Sequence, residues 1–323
     1  MTNLGNDTYI NLAAETEDNF DFRDPQFYLE EGNFPTISQD FWTYIEVIKS
    51  KLKKHNNNLT TFHINAGSIP KHYDEIVRLL IETDVDILTV SETFICEKTP
   101  KMFYEIPGYK FFHKDRSMQS RGGTGIYIKD CFECKEIKLC REVVQPEMCF
   151  VQVTCNKTKV AVGVIYKSPL ISYTQYAVLT EILAPIISGY EHHIITGDFN
   201  IDQLNPDSSA CKFFRDHVTE PFDLTQMITE PTRITDKSST LIDLLLVSYP
   251  ENVKVSGSID IPAIADHCLI YSSYALKKLS SNLKLLSKEK CKTLMLKISK
   301  MTLQCYLGEV FLLLITIQLP DYN

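Results

Sequence analysis

From about Leu59 to Ala275 short apolar runs alternate with amphipathic stretches, the mark of an α/β domain. TTFHINAGSI predicts a strand that runs into a loop at Asn65. YDEIVRLLIE puts Tyr73, Ile76, Val77, Leu80 and Ile81 on one helical face, and VDILTVSET predicts a strand ending at Glu92. The same grammar returns in KVAVGVIYKSP, a strand ending at Tyr166, YTQYAVLTEILAPII, a helix, and HIITGDFN, a strand ending at Asp198. Two such units, each closing its strands on polar residues, predict two sheets packed together with one shared rim. Rims of that kind are where α/β proteins bind ligands.

The strand in HIITGDFN delivers Asp198 and Asn200 two positions apart, a spacing that puts both on one face of an extended chain. Turn chemistry is the competing account, since Gly, Asp and Asn also end strands. RGGTGIYIKD reads as a glycine turn feeding a strand. Its glycines lack the dinucleotide-binding spacing, and no helix follows. STLIDLLLVS and AIADHCLIYSSYAL predict two further strands, the first carrying Asp243 and the second preceded by Asp266 and His267.

Three segments follow from composition. Residues 1–57 are an acidic leader, expected to be partly disordered apart from a short helix near Phe41 to Lys53. Residues 58–276 form the α/β domain. Residues 277–323 are a Lys-rich and then apolar tail without a motif. The apolar run from Phe311 to Ile317 falls far short of the ~20 residues that span a bilayer, so no membrane partner is expected. Nothing resembles a signal peptide, and an intracellular protein, nuclear or cytoplasmic, is expected with reduced thiols. Cys131 and Cys134 form a single CxxC with no second pair at zinc-finger distance. The net charge of -8 argues against holding nucleic acid chiefly through a basic surface. If phosphate is the substrate, a cation or a local basic rim must offset the repulsion.

The polar residues at strand ends are Asn65, Glu92, Tyr166, Asp198, Asn200, Asp243, Asp266 and His267. Each alone is ordinary: a turn former, a solvated charge, a packed tyrosine, a surface pair. Converging on one rim, the carboxylates would repel one another unless a cation or protons held them there. Oxygen ligands of this type suit Mg²⁺ or Mn²⁺. Such a site fits phosphodiester hydrolysis, with a carboxylate orienting water and an amide and imidazolium countering the added negative charge.

HINAGSI, SETF, RGGTGIYI, VIYKSP, TGDFN, PTRIT followed by LIDLLLVS, and ADHCLI resemble, in order, the endonuclease/exonuclease/phosphatase superfamily. Within it they look most like the apurinic-type endonuclease domain of non-LTR (LINE-type) retrotransposons. The resemblance covers about residues 59 to 275 and implies a four-layer α/β sandwich, two packed mixed β-sheets flanked by helices. It implies that Glu92 is the main metal-binding carboxylate, with Asn65 beside it and Asp266 near the metal. Asp198 would orient or deprotonate the attacking water, Asn200 and Tyr166 would hold the phosphate, and His267 would contact it with its tautomer fixed by Asp243. Thr232, Arg116 and Arg233 are candidates for contact with DNA.

Two departures stand out. Ala265 occupies the place where family members often carry Ser, and no Tyr/Phe-Ala-Asp-Asp polymerase motif occurs. The chain therefore reads as a detached or truncated copy. The expected activity is Mg²⁺-dependent nicking of DNA by a monomer, with any reverse transcriptase supplied by another chain. The alternatives are a phosphoesterase acting on abasic DNA or a small phosphate ester, and a non-enzymatic retroelement relic.

Overall fold

The structure, a computed structural model, describes residues 39–115, 121–143 and 145–277. The expected character of the leader before Gln39, the tail beyond Lys277 and the candidate Arg116 lie outside the described residues. Helix α1 (Gln39–Leu52) opens the described chain, close to the helix expected there, and buries Phe41, Ile45, Ile48 and Leu52. Strand β1 (Asn58–Asn65), helix α2 (Tyr73–Thr83) and strand β2 (Ile87–Ser91) form the first unit. Helix α2 buries Ile76, Val77, Leu79 and Leu80. Strands β3 (Tyr109–Lys114), β4 (Thr124–Lys129) and β5 (Glu133–Glu136) follow.

The second unit is built from β6 (Glu147–Cys155), β7 (Thr158–Tyr166), α3 (Ala177–Gly189) and β8 (His192–Asp198). A short helix α4 (Ser209–Phe214) and strand β9 (Thr225–Gln226) lead to a small hairpin, β10 (Arg233–Thr235) and β11 (Ser238–Thr240). Strands β12 (Asp243–Val247), β13 (Val253–Ile259) and β14 (Leu269–Lys277) complete the fold.

Two six-stranded sheets result, in the orders β13-β14-β1-β2-β4-β3 and β5-β6-β7-β8-β12-β9. Both are mixed: β1 with β2 and β7 with β8 are the parallel pairs that the crossover helices α2 and α3 require, and the other pairs are antiparallel. Near-continuous burial along β1, β2, β7 and β8 shows these strands covered on both faces. Between the sheets, Leu59, Ile87, Ile126 and Ile128 of the first share one core with Phe150, Val162, Ile195 and Leu245 of the second. This is the four-layer sandwich of two packed mixed sheets flanked by helices.

The parallel pairs send β1, β2, β7 and β8 to one end of the sandwich, and β12, antiparallel to β8, starts there. Gly197 shows how tight that end is. A Cβ at this position would sit 1.8 Å from the Ile165 carbonyl oxygen of the neighbouring strand, so only glycine lets β8 reach Asp198 in register. Replacing Gly197 by Ala is expected to destabilise the fold by roughly 3 kcal/mol or more, because backbone must shift to admit the methyl group. Urea unfolding measures this, and an unchanged midpoint would show that the strands have slack there.

Candidate active site

Register brings the polar strand ends together. Asn65 closes β1 opposite Ser91 of β2, and Glu92 follows in a left-handed conformation at φ 54°. Tyr166 and Asp198 are paired residues of β7 and β8, and Asp243 faces Asp198 from β12. Arg233 bridges to His267 just before β14.

The side chains then join the sheets. Asn65 Nδ2 donates to Glu92 Oε1 at 3.1 Å and to Asp198 Oδ2 at 3.0 Å, so one amide links a carboxylate of each sheet. Tyr166 donates its hydroxyl hydrogen to the same Glu92 oxygen at 2.8 Å. His267 Nδ1 lies 2.8 Å from Asp243 Oδ2. Asp198, Asp243 and His267 place one potential ligand atom each within 4.8 Å of one another, and all three are buried. A cavity of about 360 Å³ is lined by Asp198 and His267 together with Asn65, Glu92 and Asn200; Asp243 lies behind His267 and does not line it.

Asn200 reaches this cavity by a different route from the expected one. Strand β8 ends at Asp198, and Asn200 is left-handed at φ 48° rather than extended. Its backbone N–H donates to Asp198 Oδ1 at 3.0 Å, an Asx turn, while its Nδ2 donates to the Lys167 carbonyl at 2.8 Å. Turn chemistry and a shared site therefore coincide, because the turn itself aims both residues at the cavity.

Thr232 is not available to touch DNA. It is fully buried, and its hydroxyl oxygen accepts from the backbone N–H of Ile242 at 3.1 Å and of Asp243 at 2.9 Å. Its place is beneath the start of β12, where it seats Asp243. Asp266 stands at the cavity rim, about half exposed, with Oδ2 held by Arg233 Nε at 3.0 Å and Nη2 at 2.9 Å. These two candidates thus meet each other. Lys71, His72 and His63 also belong to the site region, the first two lining the cavity and the third buried under Asp243. Sequence reasoning missed all three; the one available signal was that His63 and Lys71 flank the Asn65 loop.

Electrostatics separate the two aspartates. Burial pushes Asp198 above the carboxylate range and the neighbouring Asp243 pushes it further, against the opposing effects of His267, Asn65 and the Asn200 N–H. Burial acts on Asp243 in the same sense, but the charge of His267 and its hydrogen bond outweigh it and hold that carboxyl low. Burial disfavours the His267 cation, yet Asp243 and then Asp198 raise it to about 9. A protonated imidazole has no lone pair for an ion. Glu92 is the oxygen donor that fits a hard divalent cation, and a cation there would ease the crowding of Asp198 by a second carboxylate. Asn65, expected beside the metal, turns its Nδ2 hydrogens to Glu92 and Asp198 and takes the Gly67 N–H on its Oδ1 at 3.1 Å, so it positions the two carboxylates and is not itself a ligand.

Residues 63–267 match the Endonuclease/Exonuclease/phosphatase family. Among solved structures, the endonuclease domain of TRAS1, a telomere-specific non-LTR retrotransposon, aligns with 68% of this chain and 99% of its own, at 12% identity and a TM-score of 0.53. A 3'-5' exonuclease (NExo) from Neisseria meningitidis covers 67% of this chain and 99% of its own, at 17% identity and 0.52. An AP endonuclease from Archaeoglobus fulgidus covers 67% and 99%, at 16% identity and 0.52. At these identities the likeness is one of fold. No curated protein matches the sequence.

The pair of His267 and Asp243 carries a pH signature. With its pKa raised in the fold, His267 contributes stability that is complete below its unfolded value of roughly 6.5 and is lost as pH rises through about 9. The melting-temperature gap between the parent and Asp243→Asn is therefore expected to be widest near pH ~6 and to shrink above pH ~9. Thermal melts across that range check it; a constant gap would mean the pair does not carry the charge assigned to it.

Proposed function

The chain belongs to the endonuclease/exonuclease/phosphatase family, and on that footing we propose that it is a Mg²⁺- or Mn²⁺-dependent endonuclease that nicks DNA. The observation that carries this reading is the Asn65 amide spanning Glu92 and Asp198, set across one cavity from the pair of His267 and Asp243. A phosphodiester placed in that cavity meets the candidate base Asp198 and the cation-holding Glu92, tied through one amide, and the imidazole of His267.

Glu92 would hold the metal, its carboxylate set by the Asn65 amide, with Asp266 at the rim. The bound ion would supply charge to polarise the phosphoryl oxygens and to steady the leaving oxygen. Asp198, with its raised pKa and both carboxylate oxygens tethered, is matched to orient and deprotonate a water near neutral pH. His267 gives Nδ1–H to Asp243, which leaves Nε2–H to donate to the scissile phosphate as charge builds there. Asn200 lines the cavity with a second amide hydrogen for a phosphate oxygen. Tyr166, expected to hold the phosphate, does not line the cavity; through its hydroxyl bond to Glu92 it would orient that carboxylate instead.

Cationic groups at the rim answer the net charge of -8. Lys71 and Arg233 line the cavity, and Arg233 is an exposed surface pair with Asp266, a contact weak enough to give way to DNA phosphate. Endonuclease, exonuclease and AP endonuclease neighbours stand at near-equal TM-scores, so hydrolysis of abasic DNA or a small phosphate ester is the second reading. The nicking role of a retrotransposon-derived enzyme, leaving a 3′-hydroxyl for a reverse transcriptase on another chain, draws its support from the ordered motifs and the TRAS1 domain. We take the active form to be a monomer centred on residues 58–276. Among the described residues no helix is long and apolar enough to cross a membrane.

Supercoiled-plasmid nicking with Mg²⁺ and with EDTA tests the proposal. Nicking is expected to require the metal, and Glu92→Ala, Asp198→Ala and His267→Ala are each expected to lower the rate by about 100-fold or more. Parental nicking by these folded variants would remove the assignment. Faster turnover of an abasic duplex or of a sugar phosphate than of intact DNA would select the second reading, and folded parent protein inert on all of them would select the relic.

A further inference from the structure

A second histidine lies beneath the pair of His267 and Asp243, and the chemistry above does not use it. His63 on β1 is completely buried, with Nε2 3.7 Å from Asp243 Oδ1. Neither of these two atoms has a hydrogen-bond partner among the described residues. On the other side of the ring, Nδ1 is 3.1 Å from Thr89 Oγ1, which is 2.6 Å from Thr196 Oγ1 on the opposite sheet. A polar column thus runs from the sheet interface up to the catalytic pair.

The donor and acceptor inventory of the column chooses a tautomer. An ionised Asp243 only accepts, so the hydrogen between the two residues belongs on His63 Nε2. Nδ1 then accepts from the Thr89 hydroxyl, and Thr89 accepts from Thr196. Nδ1, Thr89 and Thr196 are then each partnered in the right sense, and Nε2–H faces Oδ1 across 3.7 Å, a charge–dipole contact longer than a formed hydrogen bond. The other arrangement has Thr89 donating to the Phe62 carbonyl at 3.0 Å, which makes Nδ1 the donor. It would oppose the Nε2 lone pair to a carboxylate oxygen in a site without water-like screening, which is costly.

We propose that His63 is a positioning residue: its Nε2–H steers Asp243 Oδ1, so that Oδ2 meets His267 Nδ1–H and the His267 ring presents Nε2 to the cavity. The inference rests on the reading of His267 as the group that contacts the phosphate. A carboxylate held at one oxygen only can swing about its Cβ–Cγ bond; engaged at both, it fixes the imidazole it serves. Partners one layer behind a catalytic or metal-binding group typically change activity by about 10- to 100-fold.

Two readouts test it on the full chain, with His63→Leu, His63→Asn and His63→Gln beside the parent. Leu removes the donor, Asn is polar but too short to reach Oδ1, and Gln carries an amide N–H to about the right distance. Plasmid nicking is expected to show kcat down about 10- to 100-fold in the Leu and Asn variants, with KM within about twofold, and a substantial recovery in the Gln variant. Proton NMR at one fixed pH, without substrate, is expected to show the hydrogen-bonded Nδ1–H of His267 shifted or broadened in Leu and Asn and nearer to the parent in Gln. If His63→Leu fails to fold, His63→Asn carries the same comparison. Parental kcat and an unmoved Nδ1–H in either variant would overturn the proposal, as would a Gln variant no better than Leu. A parent chain that does not nick DNA would count against the endonuclease reading alone, because the resonance reports on His267 with no substrate present.

Discussion

Asp198 and Asp243 face each other across β8 and β12, both buried. Two carboxylates taken out of water side by side are costly, by several kcal/mol per ion unless they are met by opposite charge and hydrogen bonds. Everything at this end of the sandwich follows from how that cost is offset. His267, which leads into a strand of the other sheet, brings a cation to Asp243. Asn65, also from the other sheet, brings an amide to Asp198, and Ser91 Oγ accepts from the Asp198 N–H at 3.3 Å. The site therefore exists only where both sheets meet, and the core that joins them is part of what builds it.

The same arrangement divides the chemistry. Because His267 sits on Asp243, that carboxyl stays low and the histidine stays charged. Asp198 has no such partner and is pushed up by burial and by its neighbour. Two identical side chains, directly paired across neighbouring strands, become an orienting anion and a candidate base. Glu92 differs again: it is tied to Asn65 and Tyr166, two groups that donate and carry no charge, which leaves its negative charge for a cation.

Local backbone geometry does the aiming. Gly197 lets β8 run against Ile165 without a clash, Glu92 and Asn200 are left-handed, and Thr232 pins the first two amides of the β12 entry. At the second glycine position that matters, a Cβ on Gly123 would meet Thr93 Oγ1 at 2.3 Å, and Gly123 itself is left-handed at φ +89°. Its carbonyl accepts from Thr93 N at 3.4 Å while Gly122 accepts from Phe94 N at 2.9 Å, which braces the loop that carries Glu92. The glycine turn before β4 thus serves the site at one remove.

Alternation of apolar runs and amphipathic helices was enough to place two strand, helix, strand units and a common polar rim, because burial on a sheet or helix face imposes a period on the chain. The ordered motifs then named Asn65, Glu92, Asp198, Asn200 and His267, which line one cavity, and Tyr166 and Asp243, which are in contact with Glu92 and His267 behind it. What a linear pattern could not hold is direction and depth. Thr232 reads as a surface residue beside Arg233, yet lies completely buried; Arg233 and Asp266 read as independent and are partners. His63 reads as one polar residue in an apolar strand, and only the packing of β1 against β12 sets it under Asp243. Periodicity is a property of one element and is written in the sequence; hydrogen-bond partners and charge environments arise between elements distant along the chain, so tertiary structure alone decided them.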